Sequence, residues 1–251
     1  AAKGGHLPVL EWLSANRSET CTTKAMDEAG RSGHLEVIKW LHMNRSEGCT
    51  TAAMNSAAAR GDLEIVQWLH GNRHEGCTTG ALEWAAYHGE FKVVKWLHEN
   101  RSQGCTTKAI GNAFGHLRVV QWLHENRSEG CTTEAMDCAA AIGPLEVVKW
   151  LHSNRSEGFT TKAMDGSASH GHLEVVQWLH TNTSTCCTTA AMDGAAKHGS
   201  LKTLKWLYSN RSEGCTVKAI ENVINRTHLG AAIWLAATYP NFAPVKFTCG
   251  E

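Results

Sequence analysis

Nine tryptophans divide the chain into nearly equal steps. Seven of the eight steps are 28 residues long and one is 26, with the tryptophans at Trp12, Trp40, Trp68, Trp96, Trp122, Trp150, Trp178, Trp206 and Trp234. Each is followed by leucine and preceded five residues earlier by leucine or phenylalanine. A fixed period of this length predicts similar units stacked side by side, each burying its apolar face against its neighbours.

Two helices can be identified in each repeat. The first is expected to begin at a threonine such as Thr22 or Thr23, whose hydroxyl can cap the free amides of the first turn. Gly33 then ends it, and the second helix is predicted from about His34 to Asn44. No repeat contains a convincing strand. The sequence therefore predicts an all-α solenoid of αα-hairpin repeats.

The apolar pattern explains why the repeats must stack. The first helix collects Ala25, Met26 and Ala29 on one side, and these small residues permit close packing. The second helix is apolar over more than half of its circumference, so neighbouring repeats must cover it. We therefore predict that the repeat tryptophans lie in the core, where truncation to alanine would cost roughly 3 to 5 kcal/mol.

The repeats define the organisation of the chain. Seven complete repeats begin at Cys21, Cys49, Cys77, Cys105, Cys131, Phe159 and Cys187, and a degenerate, more apolar one begins at Cys215. We expect the solenoid to cover residues 1–240 and a tail, residues 241–251, to cover its end. We also expect the natural protein to continue in the N-terminal direction. The fourth complete repeat is two residues short at 112–115, so its first helix should end early.

The repeat resembles the ankyrin repeat. Residues 171–176, Gly-His-Leu-Glu-Val-Val, followed by Trp178 and Leu179, look like the second ankyrin helix. Residues 191–196 stand where ankyrin repeats carry Pro-Leu-His-x-Ala-Ala, but with methionine and aspartate in place of leucine and histidine. The period is also five residues shorter than the usual 33, at the position of the projecting β-finger. The resemblance implies a protein-binding scaffold with short turns.

Composition excludes several classes of function. The 24 basic and 24 acidic side chains balance, whereas proteins that bind nucleic acid usually carry a basic excess. The longest strongly apolar stretch, residues 229–237, is about half of the roughly 20 residues needed to cross a bilayer. Repeated Asn-x-Ser/Thr sequons would invite glycosylation in a secretory compartment, so we expect a cytoplasmic or nuclear protein.

Seven of the ten cysteines recur at the start of a repeat. Equivalent residues in stacked helices lie roughly 8 to 10 Å apart, too far for a disulfide or a shared metal ion. We therefore predict buried free thiols, no metal and no cofactor. Surface reactivity is expected at the cysteines that lie partly or wholly outside this column, which are Cys138, Cys186, Cys187 and Cys249.

Histidine and arginine also recur. Histidine follows Trp-Leu near the end of most second helices, as at His42, where a helix dipole or a carbonyl partner is expected. Arginine recurs in the turns, usually two residues before an acid, as in Arg45 and Glu47. We interpret the arginines as bracing the turns rather than binding phosphate, because the acids neutralise them.

The third complete repeat departs most from its siblings. It carries Glu83, Trp84, Tyr87 and His88 where other repeats have small or charged residues. Exposed aromatic side chains beside arginine are typical of binding hot spots. We predict a partner-binding site formed by Trp84, Tyr87, His88, Glu83, Arg60, Ser56 and Asn112. The alternative is that Trp84 packs over the gap left by the shortened fourth repeat.

We therefore expect a monomeric scaffold that binds a protein or peptide on the face formed by the first helices. A structural spacer, or an array that associates with itself, is the alternative function. An enzyme is not expected, because the sequence has no glycine-rich phosphate loop, nucleophile elbow or His-Glu-x-x-His segment.

Overall fold

The fold is taken from a computed structural model that describes residues 1–17, 21–102 and 104–242. The chain forms two compact bodies, an N-terminal body (Ala1–Gly130) and a C-terminal body (Cys131–Glu251). Both are helical, and the described residues contain no β-strand, as predicted. None of the helices described here combines the length and apolar character that a membrane span requires.

The described residues of the N-terminal body form nine α-helices. A 3-10 turn, Ala2–Gly4, precedes them. The helices are α1 (Leu7–Asn16), α2 (Lys24–Ser32), α3 (Leu35–Asn44), α4 (Thr51–Arg60), α5 (Leu63–Asn72), α6 (Thr79–Tyr87), α7 (Phe91–Asn100), α8 (Lys108–Asn112) and α9 (Leu117–Asn126). Even numbers denote the first helices of repeats and odd numbers the second. The first helices pack against one another in the order α2, α4, α6, α8.

The C-terminal body repeats the same arrangement. Its helices are α10 (Thr133–Ile142), α11 (Leu145–Asn154), α12 (Thr161–Ser169), α13 (Leu173–Asn182), α14 (Thr189–Lys197), α15 (Leu201–Asn210), α16 (Val217–Asn225) and α17 (Leu229–Thr238), followed by a 3-10 turn at Pro240–Phe242. Here α10, α12, α14 and α16 stack in order. Each body is thus an all-α repeat solenoid. The predicted role of the tail falls mainly on residues 243–251, which lie outside the described residues.

Threonine caps and glycine stops set the length of most first helices. At α4 the hydroxyl of Thr50 accepts a hydrogen bond from the amide of Ala52 at 3.1 Å. The equivalent threonine caps α6, α10, α12, α14 and α16. At the other end Gly61, with φ +80°, takes the left-handed conformation that lets the chain reverse. The predicted capping is confirmed at these helices, although α2 begins without a side-chain cap.

The core lies between the two helices of each repeat and the next repeat. In α2 and α3 the buried residues are Met26, Ala29, Gly30, Val37, Ile38 and Leu41. The repeat tryptophans differ from the prediction. Trp40 and its equivalents in later repeats are only half-buried, and Trp12 is 58% exposed. The apolar arc of the second helix is wider than the surface its neighbours cover, so the tryptophans lie at its edge.

The fourth complete repeat shows the predicted early end. Its first helix, α8, has five residues, whereas the other first helices have nine or ten. The chain turns at residues 113–115 before α9 begins. The missing residues therefore shorten α8, and α9 keeps the ten residues of its siblings.

Candidate protein-binding surface

Helix α6 presents two aromatic side chains to solvent. Its inner side is closed by Ala81, Leu82, Ala85 and Ala86, all of them buried. The helical period places Trp84 and Tyr87 on the opposite side. Their exposed fractions are 53% for Trp84 and 43% for Tyr87. The expected exposure of this pair is confirmed.

The exposed rings contact one another. The ring centroids of Trp84 and Tyr87 are 5.7 Å apart in an edge arrangement, and Tyr87 meets His88 at 5.0 Å. Tyr87 also contacts Phe114 of the shortened repeat at 6.1 Å. We call Trp84, Tyr87, His88 and Phe114 the aromatic cluster. Trp84 remains more than half exposed, so Tyr87, not Trp84, packs towards the shortened repeat.

A shallow concavity borders the aromatic cluster above α4. It is lined by Arg31, Ser56, Ala59, Arg60, His88 and Glu90. The predicted residues Ser56, Arg60 and His88 are thus brought together. Arg60 is held by Asp62, with 2.7 Å between Nε and Oδ2. Asn112 ends α8 and is half-buried.

Glu83 has a structural partner. Its Oε1 atom accepts hydrogen bonds from the amide of Thr106 at 3.2 Å and from the Thr106 hydroxyl at 2.7 Å. Glu83 therefore ties α6 to the start of the next repeat. Its carboxylate is engaged within the fold, unlike the exposed rings beside it.

The Glu83 contact is one case of a device that recurs through both bodies. Asp137 accepts the amide of Thr160 at 2.8 Å and its hydroxyl at 2.5 Å. We call this pairing, between a side chain of a first helix and the threonine 23 residues later, the inter-repeat latch. Its other members are Asp27–Thr50, Asn55–Thr78, Glu83–Thr106, Asp165–Thr188 and Asp193–Thr216. The constant spacing was the signal in the sequence, and sequence analysis missed it.

The recurring histidine, arginine and acid form a second structural group. Arg73 pairs with Glu75, and its Nη1 atom donates to Nδ1 of His42 in the preceding repeat at 3.4 Å. Glu75 also accepts the amide of Cys49 at 3.2 Å. We call His42, Cys49, Arg73 and Glu75 a turn cluster. Turn bracing by arginine is confirmed, whereas the carbonyl partner expected for the histidine is replaced by arginine.

The contacts within the turn cluster shift the pKa values of Glu75 and Cys49. Burial alone would raise the pKa of Glu75, but hydrogen bonds from Arg73 and from the backbone amides of Glu75 and Cys49 outweigh it and lower the pKa to about 2. Burial, reinforced by the charge of Glu75, raises the pKa of Cys49 to about 11. This thiol is therefore protonated at neutral pH.

The other cysteines agree in part with the predictions. All nine cysteines in the described residues are free thiols. Cys186 is exposed and Cys138 is partly exposed, whereas Cys187 is buried, so the expectation of a reactive Cys187 is wrong. Cys249 lies outside the described residues. Within residues 1–17, 21–102 and 104–242, no group of three or more His, Cys, Asp or Glu side chains could hold a metal ion.

Comparison with known families agrees with the repeat architecture. A family model described as ankyrin repeats in three copies matches residues 25–110, and a second, described as ankyrin repeats in many copies, matches residues 107–152. Together the two matches span about half of the chain. No curated protein sequence matches it. With its stacked helix pairs and half its length matched, the chain belongs to the ankyrin repeat family.

Proposed function

We propose that this protein is a non-catalytic scaffold that binds a protein or peptide partner at the aromatic cluster and the adjoining concavity. Ankyrin repeats generally serve as protein–protein interaction modules, which supports the general role. The observation that carries the proposed location is that, among the first helices that the structure describes, α6 alone exposes a tryptophan and a tyrosine, Trp84 and Tyr87. At the column of Trp84, the other repeats have Glu28, Ser56, Asn112, Cys138, Gly166, Gly194 and Asn222.

The physical reason is the energy that exposed rings contribute on binding. Tryptophan and tyrosine bury a large apolar area at a small cost in side-chain entropy, and they dominate many interfaces. Arg60 and Ser56 supply polar groups at the border of the aromatic cluster. A partner that buries both rings would therefore gain affinity and orientation from one site.

The remaining parts of the proposal are the class of partner, the cellular compartment and the absence of catalysis. The balanced charge supports a protein partner rather than nucleic acid. The free thiols support a reducing compartment, in agreement with the cytoplasm or nucleus expected from the sequence. Ankyrin repeat proteins are typically non-enzymatic, which supports a scaffold without catalysis.

The test is affinity capture from a reducing cell extract, with quantitative mass spectrometry of the bound proteins. The chain is compared with a Trp84→Ala, Tyr87→Ala variant and with Trp12→Ala, which removes an exposed tryptophan from a second helix. Circular dichroism confirms that all three are folded. Loss of two hot-spot side chains at about 2 kcal/mol each should weaken a partner by at least about 100-fold. Partners retained equally by all three proteins would contradict the proposed site.

A further inference from the structure

The last repeat of the C-terminal body exposes a continuous apolar surface. It lies along α16 and α17 and is lined by Val223, Ile224, Thr227, Leu229, Ala232, Ile233 and Ala236, which we call the apolar end face. Leu229 is 72% exposed, Ile233 62% and Ile224 40%. Helix α17 contains no charged residue. A soluble monomer rarely leaves such a cluster of large side chains in water.

The sequence columns show that this exposure is particular to the last repeat. Ile233 stands where every other second helix has a charged or amide side chain: Glu11, Lys39, Gln67, Lys95, Gln121, Lys149, Gln177 and Lys205. That column is turned outward, and its members in complete repeats are partly or fully exposed. The equivalent residues of complete repeats stay partly or fully exposed although another repeat follows them, so a further repeat stacked on α16 and α17 is not expected to bury Ile233.

Ile224 departs from its column in a different way. Complete repeats have glycine or alanine there: Gly30, Ala58, Ala86, Ala140, Ala168 and Ala196, with the shortened fourth repeat left out of the comparison. These small residues let the next first helix approach closely. A Cβ atom added to Gly30 would lie only 3.1 Å from Cα of Ala53. A branched side chain at this column would hold a following first helix away, so the apolar end face is not shaped for another repeat of this kind.

The apolar end face instead has a side-chain pattern through which two copies can pack together. On α17 a row of large residues four apart, Leu229 and Ile233, lies beside a row of small residues four apart, Ala232 and Ala236. Rows of this spacing form the ridges and grooves through which helices pack, and two copies can interdigitate the ridge of each with the groove of the other. A two-fold axis places the same surface on both sides of the contact.

We propose that the apolar end face is a homodimer interface, in which α17 of one copy packs against α17 of a second. The electrostatics are favourable, because a two-fold contact brings identical columns together and α17 contributes no like charges to repel. The chain also has no formal net charge to oppose association. The interface is limited to α16 and α17, so the dimer is concentration-dependent. This replaces the monomer expected from the sequence, and it is independent of the aromatic cluster, which lies in the N-terminal body.

The test is sedimentation velocity of the whole chain in reducing buffer, from about 1 µM to about 1 mM. The reducing agent prevents the exposed Cys186 from mimicking association. The mass should rise from 27.4 kDa towards twice that value as concentration increases. An Ile224→Ala, Ile233→Lys variant restores the residues that other repeats carry and should remain at 27.4 kDa throughout.

The matched control is Ile142→Lys, which removes an isoleucine of similar exposure, 53%, from α10 of the same body. It should associate as the unchanged protein does. The proposal is overturned if the unchanged protein stays monomeric up to about 1 mM, if the double variant associates equally well, or if the mass grows beyond that of a dimer. Circular dichroism of the variants ensures that lost association does not reflect unfolding.

Discussion

The turn side of the repeats and the outward face of their first helices vary to very different degrees. On the turn side, arginine, acid, histidine and tryptophan return in nearly every repeat because each contacts the next one, as Arg73 contacts His42. On the outward face the residue at the Trp84 column changes in almost every repeat. Internal repetition therefore identifies the side chains that hold neighbours together, and departures from it identify the surface available for other uses.

The largest effect on the free energy of unfolding is expected at the inter-repeat latch. Asp137 is only 4% exposed and satisfies both the amide and the hydroxyl of Thr160. Asp137→Ala should lower the free energy of unfolding by about 3 kcal/mol, because two hydrogen bonds to a buried carboxylate are lost. Urea denaturation measures the change. Asp137→Asn should cost less, since Asn55 forms the same latch with Thr78. An alanine variant as stable as the parent would show that the latch is dispensable.

The second largest loss of stability is expected at the repeat tryptophans. Trp178 meets the ring of His152 in the preceding repeat, with centroids 5.2 Å apart, but it is only half-buried. Trp178→Ala should therefore cost about 2 kcal/mol, less than the 3 to 5 kcal/mol of a fully buried ring. Thermal or urea unfolding provides the measurement. A cost above about 4 kcal/mol would contradict this prediction, because it would equal the cost of removing a fully buried ring.

Acid titration tests the turn cluster. The pKa of Glu75 is lowered to about 2 in the folded chain, below the roughly 4.3 of an unfolded glutamate. Its stabilising contribution is thus complete above that unfolded value and is lost as pH falls towards 2. Glu75→Gln should cost about 1.5 kcal/mol at pH 7, and the difference from the parent should shrink between about pH 4.5 and pH 2. A difference that does not depend on pH would contradict the ion pair.

The outward face should show the smallest effect on stability. Trp84→Ala combined with Tyr87→Ala removes two rings that are each about half exposed, so the free energy of unfolding should change by less than about 1 kcal/mol in total. The same urea titration measures it. A loss as large as that of Trp178→Ala would mean that the aromatic cluster supports the fold, and the contrast between the two sides would disappear.

Sequence reasoning reached the architecture because the period is dictated by stacking itself. The 28-residue step, the threonine caps and the short α8 could all be predicted from local chemistry. The partner of a polar side chain could not, because the distance between neighbouring repeats decides it. Taken alone, Asp27 does not identify Thr50 as its partner, and only the 23-residue spacing repeated along the chain does so. Nothing in the sequence indicated that Phe114 would contact Tyr87.

The latch also bears on how such an array changes over generations. Every complete repeat has the threonine at its start, and six of the seven carry the acceptor in the first helix, the shortened fourth having Gly111 at that column. Aspartate, asparagine and glutamate all serve as acceptors. A duplication or deletion, in register, of a repeat that has both groups would therefore preserve the inter-repeat latch at the new junctions.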